Sequence, residues 1–282
     1  CPIATCYLHE GPDRPLDCGQ RRLWFRCAPW YARAYGFAPP YGSASWRLKT
    51  RLALRYALLG LERRAVARFD RVISPSEGLK RHYPASWPWA VIPSPVRVVA
   101  PHACRQEPER PLVLFVGKPS IGKGYRDFED AALLLLRKYD IRAIQFAQVG
   151  PEPPWPQNGW IDAVGPKSRT DLEEWYCRAS VVVVPSRIPD ALPRVALEAM
   201  AHGRFLVVSD RGGLPECVKP GVTGFVVPAG QPRQLAEAIR AALSDNVTRR
   251  KGEEWARRLA RDRYAPEKIA EAHEGLYRRL LT

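Results

Sequence analysis

Acidic residues are in short supply in this chain: 29 Asp and Glu face 44 Lys and Arg, a formal net charge of +15 over 282 residues. Such an imbalance points to an anionic partner or substrate, although charge alone supports only nonspecific attraction. Also missing is any run of about 20 apolar residues, so no segment reads as a membrane-spanning helix, and no signal peptide stands at the present start. The seven cysteines, at positions 1, 6, 18, 27, 104, 177 and 217, show no paired spacing of a zinc site. Their odd number favours reduced thiols in a cytoplasmic setting. There is no long internal repeat and no low-complexity segment. What remains is a folded chain long enough for two domains and a sizeable core. It is expected to be soluble in the cytoplasm or peripheral on the inner face of a membrane.

The basic excess sits at the front. Sixteen Lys and Arg against six Asp and Glu fall in the first hundred residues. Trp46 to Phe69 reads as a long amphipathic helix, with Leu48, Leu52, Tyr56 and Leu59 at helical spacing and Arg47, Arg51 and Arg55 stacked every fourth residue. Like charges at that spacing repel, so solvent or an anionic partner must offset them. An acidic membrane surface, a phosphorylated acceptor and nucleic acid all fit that description. No nucleic-acid module is recognisable and the aromatics scatter without forming a stacking platform, so nucleic acid is not expected.

Further along, strand and helix patterns alternate from about residue 110 to 245, the mark of βα units on a parallel sheet. Leu112 to Val116 is a continuous apolar run that leads through GKPSIGKG into the helical pattern DFEDAALLLLRK. Gly117 to Lys123 narrowly misses the P-loop. The position after Lys123 is Gly124, which lacks the hydroxyl that would hold magnesium, and no apolar strand ending in Asp supplies a second magnesium ligand. Ala143 to Val149 and Ser180 to Ser186 read as strands, and Asp171 to Arg178 as a helix.

The stretch from Ser186 to Gly230 carries the most chemistry. Asp190 and Glu198 lie eight positions apart around the start of a helix that Pro193 opens and Gly203 closes. Taken singly, an Asp before a helix-starting proline is a cap or turn residue, and a Glu among Ala and Leu is a solvated face. Were the whole stretch helical, the carboxylates would stand roughly 12 Å apart along the axis. A ribose and a hexose joined by a diphosphate span a similar distance, and helix-start amides between them would face the phosphates. An apolar strand, Phe205 to Val208, follows. Gly212-Gly213 then precedes a second proline-started helix and is read as donating N–H groups to an anion. GVTGFVVPAG reads as a hairpin-like element.

As a set, these motifs resemble the donor-binding half of the retaining glycosyltransferases of GT-B fold, family 4 (glycosyl transferases group 1), over most of residues 70–282. The fold implied is α/β, with two Rossmann-like domains of parallel sheet. The resemblance assigns Lys118 and Lys123 to the donor diphosphate, Glu198 to the ribose, Asp190 to the sugar hydroxyls and His9 to the sugar–phosphate junction. Val164, Gly165 and Leu192 become candidate base and backbone contacts. No metal and no cofactor are implied; the donor is a nucleotide sugar and the acceptor a glycan, lipid-linked or small-molecule hydroxyl.

Several positions depart from the family pattern. Lys118 replaces the more usual Arg, Asp190 the first Glu, and Leu192-Pro193 a Phe-Gly pair. Only Ile3 to Leu8, Arg71 to Ser74 and Trp89 to Ile92 read as strands before the linker, so the opening of the first domain is expected to be absent. The expected division is a partial acceptor-side domain at 1–103, a donor domain at 104–265, and a helix at 266–282 returning to the first domain. The activity implied is sugar transfer from a nucleoside diphosphate to a hydroxyl in glycan or glycolipid synthesis. The alternatives are a non-catalytic nucleotide- or partner-binding module and, behind it, a basic nucleic-acid-binding protein.

Overall fold

The computed structural model describes residues 65, 66, 68–100, 104, 110–138, 143–154 and 159–282. The expected strand Ile3 to Leu8, His9, and the arginines at 47, 51 and 55 lie outside the described residues. At the front, β1 (Val72–Ser74) and β2 (Trp89–Val91) pair in parallel, with the short helix α1 (Glu77–Lys80) between them. The rest is built on six parallel strands: β3 (Leu112–Val116), β4 (Gln145–Val149), β5 (Asp162–Ala163), β6 (Val181–Val184), β7 (Phe205–Ser209) and β8 (Gly224–Val227). They are ordered β5-β4-β3-β6-β7-β8. The helices are α2 (Tyr125–Lys138), α3 (Arg169–Arg178), α4 (Arg194–Ala201), α5 (Pro232–Ser244), α6 (Asn246–Tyr264) and α7 (Pro266–Leu281).

Helices cover both faces of this sheet, which is why its central strands are apolar at every position. Along β3 the period-two alternation splits the side chains between two cores. Leu112 and Leu114 join Tyr176, Leu197, Met200 and Tyr264 on the face of α3, α4 and α6. Val113 and Phe115 join Phe128, Leu135, Leu235 and Ile239 on the face of α2 and α5. At about 25 cal/mol per Å² of apolar surface removed from water, these two layers are the main favourable term in the fold.

Three expectations need correction. β8 is no hairpin arm: it runs parallel to β7, Leu206 facing Gly224, because the chain crosses over through a 3-10 turn at Leu214–Cys217. That turn is all that the second proline-started helix amounts to. Lastly, the thiols are not all free. Cys104 and Cys177 form a disulfide across 73 residues, which no local spacing announces. Cys217 keeps its thiol; it is fully buried, which pushes its pKa up to about 12 and leaves it unreactive.

The two sheets are linked by contacts from the C-terminal part. Ile269 and Leu276 of α7 pack on Ile92, just past β2. The linker enters the larger core through Val96, whose amide donates to the Tyr264 carbonyl at 2.8 Å. No helix among the described residues is long and apolar enough to cross a membrane.

Cross-linking residues so far apart removes much of the unfolded chain's freedom. Cys104→Ser should therefore lower the unfolding free energy by about 2–4 kcal/mol under oxidising conditions. Denaturant titration with and without dithiothreitol checks this: reductant should bring the wild-type chain down to the variant's level and leave the variant unmoved.

Candidate functional site

Beginning from β3, the chain adds β4 and β5 on one side and then returns to place β6 on the other. The crevice at the carboxyl ends of two strands where the winding reverses is where open α/β sheets take ligands. Two loops meet there, Gly117 to Gly124 after β3 and Pro185 to Pro193 after β6. The Arg187 amide donates to the Gly122 carbonyl at 2.9 Å. Gly124, with φ of +72°, is where the loops come closest: a Cβ on it would lie 1.9 Å from the Pro185 carbonyl oxygen. A residue with a hydroxyl side chain cannot stand there, so the missing P-loop serine or threonine is a packing requirement of this fold.

This approach delivers the predicted side chains to one another. Lys123 Nζ lies 2.6 Å from Asp190 Oδ1, and the Ser186 hydroxyl donates to Asp190 Oδ2, also at 2.6 Å. A carboxylate has about four lone-pair sites, so two stay open for a ligand. The loop is pinned from below by Arg187, whose Nε donates to the buried Asp127 of α2 at 2.8 Å. That hydrogen bond, ahead of the charge attraction, raises the Arg187 pKa. Lys118 is exposed and makes no ion pair or hydrogen bond among the described residues.

The paired glycines serve this loop differently from the expectation. Gly213 donates its amide to the Asp190 carbonyl at 2.8 Å, so it is not free for an anion. Gly212 sits at φ +55°, and a Cβ there would come within 2.0 Å of the same carbonyl oxygen. Glycine is needed because the backbone of Asp190 rests on it. The following Glu216 reaches the front of the chain: its Oε1 accepts from the Gly78 amide in α1 at 2.7 Å. Ser76 caps α1 and donates its hydroxyl to the Ala191 carbonyl.

Glu198 faces a groove between α3 and α4, closed by Val96, Arg97 and Val99 of the linker. The Tyr176 hydroxyl donates to Glu198 Oε2 at 2.9 Å, and Arg194 lies 3.5 Å from Oε1. Tyr176 stacks on His202, ring centroids 5.1 Å apart. His202 Nδ1 lies 2.7 Å from the Glu198 carbonyl, which only accepts, so that nitrogen carries the proton. Burial, followed by the neighbouring Glu198 charge, holds the Tyr176 pKa well above the ordinary phenol range. Burial also lowers that of His202, against the opposing hydrogen bond to Glu198.

Val164 and Gly165 stand at the carboxyl edge of the sheet, where Gly165 accepts from the Gly150 amide and has open space at its α-carbon. Leu192 is different. Its side chain is buried in the core at 6% exposure, which leaves only its backbone for a ligand. Asp127, Tyr176, Ser186, Arg187, Arg194 and His202 escaped the sequence reading, since their roles depend on contacts between separate elements.

A parallel sheet with an acid and a lysine meeting at its switch point, and a second acid eight positions further on in α4, is an arrangement of the GT-B class, which the solved structures it resembles share. Residues 110–245 match the family model "Glycosyl transferases group 1". It is similar to the alpha-D-kanosaminyltransferase of Streptomyces kanamyceticus, 30% identical over 182 residues, or 61% of this chain and 46% of the relative. The chain thus spans about half of that protein's length. The structure resembles sucrose-phosphate synthase from Thermosynechococcus elongatus, with a TM-score of 0.68 and 27% identity over 80% of this chain and 62% of the other. It also shares the fold of Anabaena Alr3699/HepE solved in complex with UDP-glucose, with a TM-score of 0.64, 20% identity, and 78% and 67% coverage.

Two outcomes follow from this geometry. Gly212→Ala should cost about 1–3 kcal/mol, since it strains the backbone and pushes on Asp190; thermal unfolding measures it. His202 gives a pH signature. Above pH 6.5, its ordinary pKa, neither folded nor unfolded chain holds the proton and the residue contributes nothing. Below that, the unfolded chain takes up a proton the folded one refuses, so stability falls with pH. His202→Asn should flatten the fall in Tm between pH 7 and pH 5.

Proposed function

We propose that this chain is the donor-binding part of a glycosyltransferase that moves a sugar from a nucleoside diphosphate to an acceptor hydroxyl. The observation that carries the reading is the 2.6 Å contact of Lys123 with Asp190 at the β3–β6 switch point, with Glu198 beyond it on α4. In this reading Lys123 and Lys118 neutralise the diphosphate as it leaves, a charge that grows in the transition state and is best met by cations already in place. Asp190 holds sugar hydroxyls through its open lone pairs, Glu198 holds the ribose, and His9 contacts the sugar–phosphate junction. Retention of configuration and independence of metal belong to the same reading. So does the division into a partial acceptor-side domain (1–103), a donor domain (104–265) and a bracing helix (266–282). The UDP-glucose held by the HepE structure is the kind of donor it envisages.

One observation favours a second reading, a module that binds nucleotide without transferring sugar. Both carboxylate oxygens of Asp190 are already engaged by protein groups.

Calorimetry with UDP, GDP and ADP tests the first requirement. At least one should bind at submillimolar concentration. Glu198→Ala and Lys123→Ala should each weaken it about 10- to 100-fold, as expected for losing a hydrogen bond to a charged group. No binding by any of the three removes the donor site. Binding without release of nucleoside diphosphate from any nucleotide sugar, with an acceptor present, selects the module.

A further inference from the structure

Nothing in the acid motif says what holds its second carboxylate still. Glu198 stands on the outer side of α4 with its side chain 25% exposed. A glutamate so placed is free to sample several rotamers, and ordering such a side chain on binding costs about 0.5–1.5 kcal/mol. Here one contact comes from the interior. Tyr176, from the last turn of α3 and only 1% exposed, donates its hydroxyl to Glu198 Oε2 at 2.9 Å. The tyrosine is in turn fixed by its stack on His202, and His202 returns to α4 by donating Nδ1 to the Glu198 carbonyl.

The three residues therefore close a ring of contacts in which each touches the other two. The carboxylate belongs to one helix and its donor to another, so the distance between α3 and α4 sets where the acid stands. Among the described residues Arg194, at 3.5 Å, also stands beside the carboxylate, and its side chain is 68% exposed, so it is a much looser restraint. Burial keeps the phenol protonated, and hence a donor, across the physiological range.

We propose that Tyr176 is the positioning residue of this site: it presents Glu198 already oriented to the two vicinal hydroxyls of a ribose, and so makes the groove select ribonucleotides over 2′-deoxyribonucleotides. The inference rests on the donor-site reading above. Tyr176 touches Glu198 and His202, not the ligand. Its effect must therefore vanish without the carboxylate and be largest when both ribose hydroxyls are present.

Tyr176→Phe is the test, since it keeps the ring and its stack on His202 and removes one oxygen. Calorimetry on the wild-type chain and the variant would use UDP and 2′-deoxy-UDP, with the ADP and GDP pairs alongside. The expected result is a loss of about 3- to 10-fold for the ribonucleotide, the affinity equivalent of ordering one side chain, and a smaller loss for the deoxy form, which keeps only one of the two hydroxyls. In a Glu198→Ala background the same substitution should have no further effect. Equal losses on both nucleotides, an additive effect with Glu198→Ala, or no loss at all would overturn the proposal and leave the donor site standing. A wild-type chain that binds UDP and 2′-deoxy-UDP equally would remove the ribose assignment of Glu198 itself, and this inference with it.

Discussion

The site depends on how closely two loops approach at the carboxyl ends of β3 and β6. Gly124 lies under the Pro185 carbonyl with no room for a side chain, and the Arg187 amide closes the gap onto Gly122. That distance brings Lys123 within 2.6 Å of Asp190, and it lets Arg187 reach down to Asp127 on α2. A bulkier residue at 124 would part the loops and separate the cation from the acid. The glycine that disqualifies the sequence as a P-loop is thus what lets Lys123 meet Asp190 on the same strand-loop-helix frame.

A second layer of contacts holds the acid loop from the other side. Gly212 and Gly213 support the backbone of Asp190 and Ala191, and Glu216, in the short turn that follows, carries the connection onward to α1 by accepting from the Gly78 amide. Ser76 closes the circuit by bonding both Ala191 and the start of α1. The front sheet is therefore tied to the same loop that presents Asp190, and α7 braces it from behind through Ile269 and Leu276. A shift of the front sheet reaches the Asp190 loop through the Ser76 hydroxyl and the Glu216 carboxylate.

Much of this was legible in the sequence, for identifiable reasons. Continuous apolar runs such as Leu112–Val116 and Val181–Val184 announce strands buried on both faces, and the helix after Pro193 announces itself by its apolar stripe. Lys123, Asp190 and Glu198 could be singled out as candidates because each belongs to a local motif, two in loops and one on α4. Their partners could not be. Tyr176 lies 22 residues before Glu198 and looks like any helix-end aromatic, while Cys104 and Cys177 stand 73 positions apart. The glycine pair showed that the backbone must pass something closely, but not that the something was the Asp190 carbonyl. Direction of pairing was likewise hidden: the glycines flanking β8 suit a tight hairpin and a parallel edge strand equally well.

The two ion pairs at the site differ in what they cost to break, and that difference fits their places. Arg187 is 42% exposed but Asp127 only 2%, so removing Arg187 would leave a buried carboxylate unpaired, at a greater cost than breaking a surface pair. Lys123 is 43% exposed and Asp190 16%. Water reaches the lysine, and pairs of that kind contribute roughly 0–1 kcal/mol. An incoming anion can therefore compete for Lys123 at small cost, and Ser186 keeps Asp190 in place while it does so. The rigid pair sets the geometry and the exchangeable one faces the crevice, an arrangement in which the loop does not have to move for its cation to change partners.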